Sequence, residues 1–213
     1  MQRKTRLQIE CLLLFFIIPP MLYLVRHHIA FRIFFVLAAA TFLCSILLFK
    51  DPDFDRLTLW RWHHFGKNVK SILLFFLPTA LLLAFITWIF LPDKFLAFPR
   101  ARPLIWVILM ILYPLLLAWP QELIFRCFFF QRYGSLFTSS RQLVFMNAIS
   151  FSLSHLFYGN FVAIVLSFIG GYLFAWRYHV TKSLPFVSLE HGIWGNYLFT
   201  IGIGWYFYSG AIK

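Results

Sequence analysis

An acid and a base stand four residues apart in the apolar stretch from Trp119 to Tyr133, namely Glu122 and Arg126. Residues four apart share one face of a helix, where a carboxylate and a guanidinium can neutralise each other. Ionisable side chains at membrane depth are costly, so they are functional candidates by default. Taken alone, this pair fits a structural buried ion pair as well as a catalytic one.

More polar groups recur in the later apolar segments. Only His155 and His191 of the seven histidines lie there, and Glu190 and Asn196 flank His191. At 1.5 Å per residue, Glu122 lies roughly 16 Å from the end of its segment, His155 roughly 22 Å into the next and Asn196 roughly 16 Å into the last. Three segments place polar groups at overlapping depth, which unrelated ion pairs would have no reason to do. We therefore expect one shared site.

A carboxylate, two imidazoles and an amide suit the activation of water. The carboxylate can act as general base, while imidazole or amide donors stabilise an oxyanion. The same groups could instead bind zinc through His155, His191 and Glu122, with one position left for water. They lack the His-Glu-x-x-His spacing that places two ligands on one helix. The expectation is a site without a cofactor, with zinc as the alternative.

The composition predicts an integral membrane protein. Of 213 residues, 62% are hydrophobic and only 12% are charged, against about half and a quarter in soluble domains. The net charge of +12 comes from Lys and Arg between apolar runs, which is typical of loops at lipid headgroups and not of a nucleic-acid-binding protein. The three cysteines are isolated in apolar segments, so neither disulfides nor a zinc knuckle is expected.

The apolar runs predict an all-α, polytopic helical bundle with about seven spans, six to eight being compatible with the pattern. An uncleaved first span is expected over 10–25, interrupted by Pro19 and Pro20, and Gly170-Gly171 in the sixth span predicts close helix packing. The excess of Lys and Arg in alternate loops favours a cytoplasmic N-terminus. We expect one membrane domain over 1–213, with additional spans in 1–103 and the motif-bearing core in 104–208.

Three short motifs of this core resemble one known family. They are Gln121-Glu122-x-x-x-Arg126, then Phe151-x-x-x-His155, then His191 followed by Asn196. Their order, and their placement on separate spans, resemble the CAAX-processing and bacteriocin-processing (CPBP, or Abi) intramembrane proteases. The resemblance implies a helical-bundle endopeptidase that acts on membrane-associated proteins or peptides, by a metallo- or a glutamate-based mechanism.

The chain departs from the family pattern at two positions. Gln121 stands where the family has its first Glu, and Asn196 follows the histidine one residue later than usual. The resemblance implies that Glu122 activates water with help from His155, while His191 and Asn196 stabilise the oxyanion. Gln121, Arg126 and Glu190 would support them, and Glu122 is expected to approach a histidine. A non-catalytic chaperone or immunity protein that binds a peptide in the same cavity is the alternative, and a small proton-coupled transporter is a third.

Overall fold

The computed structural model describes residues 2–29 and 33–208, which are mostly helical and contain no strands. Seven long helices account for most of them. We number these α1 (Arg3–Leu24), α2 (Ile33–Lys50), α3 (Phe65–Phe90), α4 (Pro103–Leu136), α5 (Ser140–Ser154), α6 (Phe161–Thr181) and α7 (Leu184–Ile201). The all-α fold predicted from the apolar runs is confirmed.

Five of these helices, α1 to α4 and α6, are long and apolar enough to cross a membrane. Helix α5 has 15 residues, or about 22 Å, which is shorter than the roughly 30 Å hydrocarbon core. Helix α7 carries Glu190, His191 and Asn196, which lower its hydropathy. Seven long helices thus lie where about seven spans were predicted, and five of them have the length and hydropathy of a membrane span. The predicted count of spans is therefore supported only roughly. The predicted start of the second span at Phe31 lies outside the described residues.

Helix α4 is irregular at the two places that matter most for the site. It changes from α to π geometry at Pro114–Ala118 and again at Leu123–Phe128, immediately after Glu122. Proline cannot complete the regular backbone hydrogen bonds of a helix, and Pro114 and Pro120 lie at or just before these wider turns. Single π turns inside α-helices are frequent at functional sites. The wider turn changes the direction in which Glu122 and Arg126 project.

Aromatic side chains fill the core where α1 crosses α4. Phe15 is buried and meets the rings of Phe125, Phe129 and Tyr133 edge-on, at centroid distances of 5.6, 4.9 and 5.7 Å. The predicted close packing at Gly171 is also present, because a Cβ there would lie 3.0 Å from the ring of Phe151. Helices α5 and α6 therefore approach closely beside the polar site.

Large apolar side chains cover much of the outer surface of the bundle, as a lipid-facing surface requires. Among the most exposed are Leu24, Phe35, Leu81, Phe90 and Leu104. Soluble monomers rarely expose so much contiguous apolar area. Together with the five apolar helices, this surface identifies an integral membrane protein.

Candidate active site

Glu122 lies at the centre of a fully buried polar cluster. Its Oε1 is 2.8 Å from His191 Nδ1, and its Oε2 is 3.0 Å from Arg126 Nε. The Oε2 contact does not have hydrogen-bond geometry, so this pairing is electrostatic and Oε2 can still accept a hydrogen bond. The expected approach of Glu122 to a histidine is present, and the carboxylate faces the bundle interior.

Arg126 is held from three sides although it is completely buried. Its Nη1 donates to Asn147 Oδ1 at 2.9 Å, and the amide of Asn147 donates to the Phe125 carbonyl at 2.6 Å. The guanidinium carbon also lies 4.7 Å from the centroid of the Phe151 ring, which is a cation–π contact. Helices α4 and α5 thus fix Arg126 beside Glu122.

His191 is oriented by both of its ring nitrogens. A carboxylate accepts hydrogen bonds, so Nδ1 carries a proton that it donates to Glu122, and Nε2 then accepts the hydroxyl of Tyr113 at 3.1 Å. The imidazole also stacks on the Phe174 ring, with centroids 4.7 Å apart and an interplanar angle of 19°. The Glu122–His191 dyad therefore presents a basic Nε2 next to a phenol.

Tyr113 reaches His191 because a glycine opposite it leaves space for the ring. A Cβ added at Gly195 would lie only 2.0 Å from Tyr113 Cε1, well inside van der Waals contact. The neighbouring Gly192 faces Pro114 in the same way, with a Cβ distance of 3.0 Å. The two glycines of α7 thus admit the Tyr113-Pro114 turn of α4.

The Gly195→Ala variant should lose the contact between Tyr113 and His191. The ring must swing away, and overpacking of this kind costs about 1–3 kcal/mol. We expect a lower thermal unfolding temperature of the purified protein. Gly66→Ala is the matched control, because nothing lies within 4 Å of its added Cβ. An equal fall in unfolding temperature for Gly195→Ala and Gly66→Ala would show that the close contact between Gly195 and the Tyr113 ring has no special role.

His155 lies near the cluster but does not join it directly. Its Nδ1 is 2.8 Å from the carbonyl of Phe151, so Nδ1 is protonated and Nε2 has a free lone pair. The Phe151 ring lies between the two histidines, with its centroid 4.6 Å from that of His155 and 5.7 Å from that of His191. His155 thus borders the site without touching Glu122.

Gln121 and Asn196, the two departures from the family motifs, make no hydrogen bond to Glu122 or His191 within the described residues. Gln121 is half-buried, and its side chain makes no hydrogen bond within the described ranges. The amide of Asn196 donates to the Met110 carbonyl at 2.8 Å, while its buried Oδ1 has no partner among the described residues. Asn196 thus ties α7 to α4.

Glu190 belongs to a second buried ion pair and not to the dyad. Its carboxylate receives two hydrogen bonds from Arg177, at 2.8 and 3.1 Å, and Arg177 also donates to Ser71 on α3 at 3.2 Å. Adjacent helical residues point about 100° apart, so Glu190 faces α6 while His191 faces α4. This pair fixes the rotation of α7 about its own axis.

Comparison with protein families matches the segment that carries this geometry. Residues 103–197 match the family described as Type II CAAX prenyl endopeptidase Rce1-like. This part of the chain is therefore similar to that family, and the match covers less than half of the chain. The match begins at the first residue of α4 and extends past Asn196, so it includes every motif that resembled the CPBP proteases. No curated protein and no solved structure matches the chain.

The two histidines of the matched segment share one feature with zinc ligands. Both histidines have the tautomer typical of zinc ligands, with Nδ1–H bonded to a carboxylate or a carbonyl. Within the described residues, the Glu122 carboxylate contacts His191 and Arg126 and makes no hydrogen bond to His155. No cluster of three His, Cys, Asp or Glu side chains that could hold a metal ion occurs in 2–29 and 33–208.

Three residues of the candidate site were missed by sequence reasoning, namely Tyr113, Asn147 and Phe174. Tyrosine in an apolar run usually indicates an interfacial belt, so Tyr113 was not predicted to belong to the site. The sequence features that could have indicated it are Pro114, which follows it, and the two glycines Gly192 and Gly195 on the helix that it contacts. Asn147 did offer a signal, because a carboxamide in an apolar segment needs a hydrogen-bond partner.

Proposed function

We propose that this protein is an intramembrane endopeptidase of the CPBP type, which hydrolyses a peptide bond in a membrane-associated protein or peptide. The observation that carries the proposal is the buried dyad, in which Glu122 Oε1 and His191 Nδ1 are 2.8 Å apart beside Arg126. A carboxylate that orients a histidine is a common device for moving a proton during hydrolysis. The Rce1-like match supports the same reaction class.

The contacts favour a division of roles that differs from the one expected by resemblance. Glu122 is bound by His191 and Arg126, so it is placed to orient the imidazole and to stabilise its protonated form. His191 Nε2 then takes the proton from the attacking water and returns it to the leaving amine. His155 Nε2 has its lone pair free and would accept a second hydrogen bond from that water.

Tyr113 is proposed to donate its hydrogen bond to the oxyanion of the tetrahedral intermediate. The hydroxyl is already 3.1 Å from His191 Nε2, and it would turn to the substrate carbonyl when water occupies that nitrogen. Removal of one oxyanion donor typically costs about 10²–10³ in kcat. Asn196, which was expected in this role, is bonded to Met110 and is proposed to position α7.

The Tyr113→Phe variant should therefore cleave about 10²-fold more slowly than the wild type at saturating substrate. KM should change little, because the phenol contacts the transition state and not the bound peptide. Steady-state kinetics with a fluorogenic membrane peptide provide the measurement, and Tyr172→Phe, at an exposed tyrosine of α6, serves as the control. A Tyr113→Phe enzyme with unchanged kcat would remove Tyr113 from the mechanism.

Activity is expected to persist after treatment with a strong chelator, because no step above uses a metal. Wild-type protein dialysed against 1,10-phenanthroline should cleave at its original rate and contain substoichiometric zinc by elemental analysis. Loss of activity that added zinc restores would replace this account with a metalloprotease mechanism based on His155 and His191.

The substrate class that we propose comes from the family description. That description names prenyl endopeptidases, so a peptide with a C-terminal lipid anchor is the first substrate to test. The core over 104–208 would perform the reaction, and the first half of the chain would shield it from lipid. We propose a bacterial inner-membrane location with the N-terminus in the cytoplasm, which reporter fusions at each terminus can test.

One observation favours a second function, a peptide-binding chaperone or immunity protein without catalysis. Gln121 replaces the first Glu of the family motif, and its side chain makes no hydrogen bond in the described part of the chain. Incubation of purified protein with a lipidated peptide separates the two functions. The protease account predicts two fragments by mass spectrometry, whereas binding of an intact peptide would favour the chaperone.

A further inference from the structure

A polar cavity lies at the end of the bundle where α1 begins and where α2 and α4 end, and neither Glu122 nor His191 lines it. We refer to it as the basal cavity, and its volume is about 570 Å³. Its polar wall includes Arg3, Lys4, Asp51, Asp53 and Arg132. Ligand pockets typically measure about 300–1,000 Å³, so the basal cavity is large enough to hold a small polar molecule.

Two of the charged groups in the basal cavity already have partners within the protein. Arg132 pairs with Glu10, with Nη2 and Oε2 2.8 Å apart. The Asp51 carboxylate accepts hydrogen bonds from the Gln131 amide at 2.9 Å and from the Asp53 backbone N–H at 3.0 Å. These contacts hold the wall together and leave its other charges available.

Three charged side chains in the wall remain without a partner. Arg3 and Lys4 on α1, and Asp53 in the loop after α2, make no side-chain ion pair or hydrogen bond within residues 2–29 and 33–208. Two free cations and one free carboxylate thus line the same cavity without contacting one another. A ligand that pairs with the two cations and with the carboxylate must carry an anionic group and, close to it, a cationic group.

We propose that the basal cavity binds a phosphoethanolamine headgroup, with its phosphate at Arg3 and Lys4 and its ammonium at Asp53. Basic side chains recognise phosphate through charge-assisted hydrogen bonds, and the ammonium offers three N–H donors to a carboxylate. A choline headgroup has no N–H to donate. A glycerol headgroup carries no cation, so it would leave Asp53 facing a phosphate of like charge.

The position of the cavity favours a membrane lipid as the source of this headgroup. Three of the candidate spans have an end there, namely Arg3–Leu24, Ile33–Lys50 and Pro103–Leu136. The wall therefore lies at the level where spans leave the hydrocarbon and where headgroups are found. Leu7 and Leu136 add apolar surface to the same wall, which suits the glycerol and upper acyl chains.

Native mass spectrometry of the full-length protein can measure this binding with three short-chain lipids that differ only in headgroup. We expect phosphatidylethanolamine to bind about tenfold more tightly than phosphatidylcholine, because the carboxylate–ammonium hydrogen bonds are lost with choline. Phosphatidylglycerol should also bind more weakly than phosphatidylethanolamine. Equal affinity for all three would overturn the proposal.

Variants of the cavity wall test which side chains bind the phosphate and which bind the ammonium of the headgroup. Asp53→Asn should lower the affinity for phosphatidylethanolamine to that for phosphatidylcholine, and Arg3→Gln/Lys4→Gln should lower the affinity for both lipids. Lys67→Gln/Lys70→Gln is the matched control, since both lysines are exposed and lie outside the cavity wall. A preference for phosphatidylethanolamine that survives Asp53→Asn, or a control pair as damaging as the cavity pair, contradicts the assignment.

Soluble phosphoethanolamine distinguishes the lipid from a free metabolite as the ligand. We expect it to compete only at much higher concentration than the lipid, because it cannot use Leu7 and Leu136. Competition at equal concentration would assign the cavity to the free compound and not to the membrane.

Discussion

Glu122→Gln is expected to reduce peptide cleavage by about 10²–10⁴-fold, which is the range for loss of general acid–base catalysis. The amide can still accept a hydrogen bond from His191 Nδ1, but it cannot stabilise the imidazolium that forms when Nε2 takes a proton. The substitution also leaves Arg126 buried without its counter-charge, which typically costs 3–5 kcal/mol of stability. Cleavage rate and unfolding should both be measured, because either effect reduces activity.

A double variant separates these two effects. Glu122→Gln/Arg126→Met removes both charges of the buried pair, so most of the lost stability should return. Cleavage should remain as slow as in Glu122→Gln if the carboxylate has a chemical role. Recovery of cleavage with stability would show that Glu122 is purely structural. An active Glu122→Gln beside an inactive Glu190→Gln would move the catalytic carboxylate to Glu190.

Arg177→Met is expected to lower the free energy of unfolding by about 3–5 kcal/mol. Its partner Glu190 is completely buried and receives two hydrogen bonds from the Arg177 guanidinium. Without that guanidinium, a carboxylate is left in the core beside His191. Unfolding in mixed micelles, followed by tryptophan fluorescence, provides the measurement.

Two controls test whether this effect comes from an unpaired buried charge. Arg177→Met/Glu190→Leu removes the whole pair and should recover most of the stability. Arg100→Met removes an exposed arginine and should change stability by no more than about 0.5 kcal/mol. If Arg177→Met is as harmless as Arg100→Met, the pair does not hold α7 in its rotation.

Much of the fold was predictable because lipid imposes a simple rule on sequence. Apolar runs must form helices that satisfy their own backbone, so the existence of α1 to α4 and α6 followed from hydropathy. Helices α5 and α7 are present where spans were predicted, but α5 is short and polar side chains lower the hydropathy of α7, so length and composition alone do not mark them as spans. The π turns of α4 were not predicted, although Pro114 and Pro120 signalled a distortion.

The site was predictable where charge had to find a partner in an apolar interior. Glu122 could not remain unpaired at such depth, and this argument led to a histidine. The same argument could not decide between His155 and His191 as the partner, because the partner depends on the rotation of α4 at its π turn. The sequence analysis also placed Glu190 in the site, whereas in the structure Glu190 is bound by Arg177 on another face of α7. The catalytic roles of all these residues stay predictions.

Cleavage of a lipidated membrane peptide in heavy-oxygen water tests the central claim most directly. The purified wild-type protein should produce an N-terminal fragment whose new carboxyl group carries one heavy oxygen, because the dyad delivers water to the scissile carbonyl. The Glu122→Gln/Arg126→Met variant should bind the peptide and leave it intact. A folded wild-type protein that binds this peptide and never labels or cleaves it would contradict the protease account.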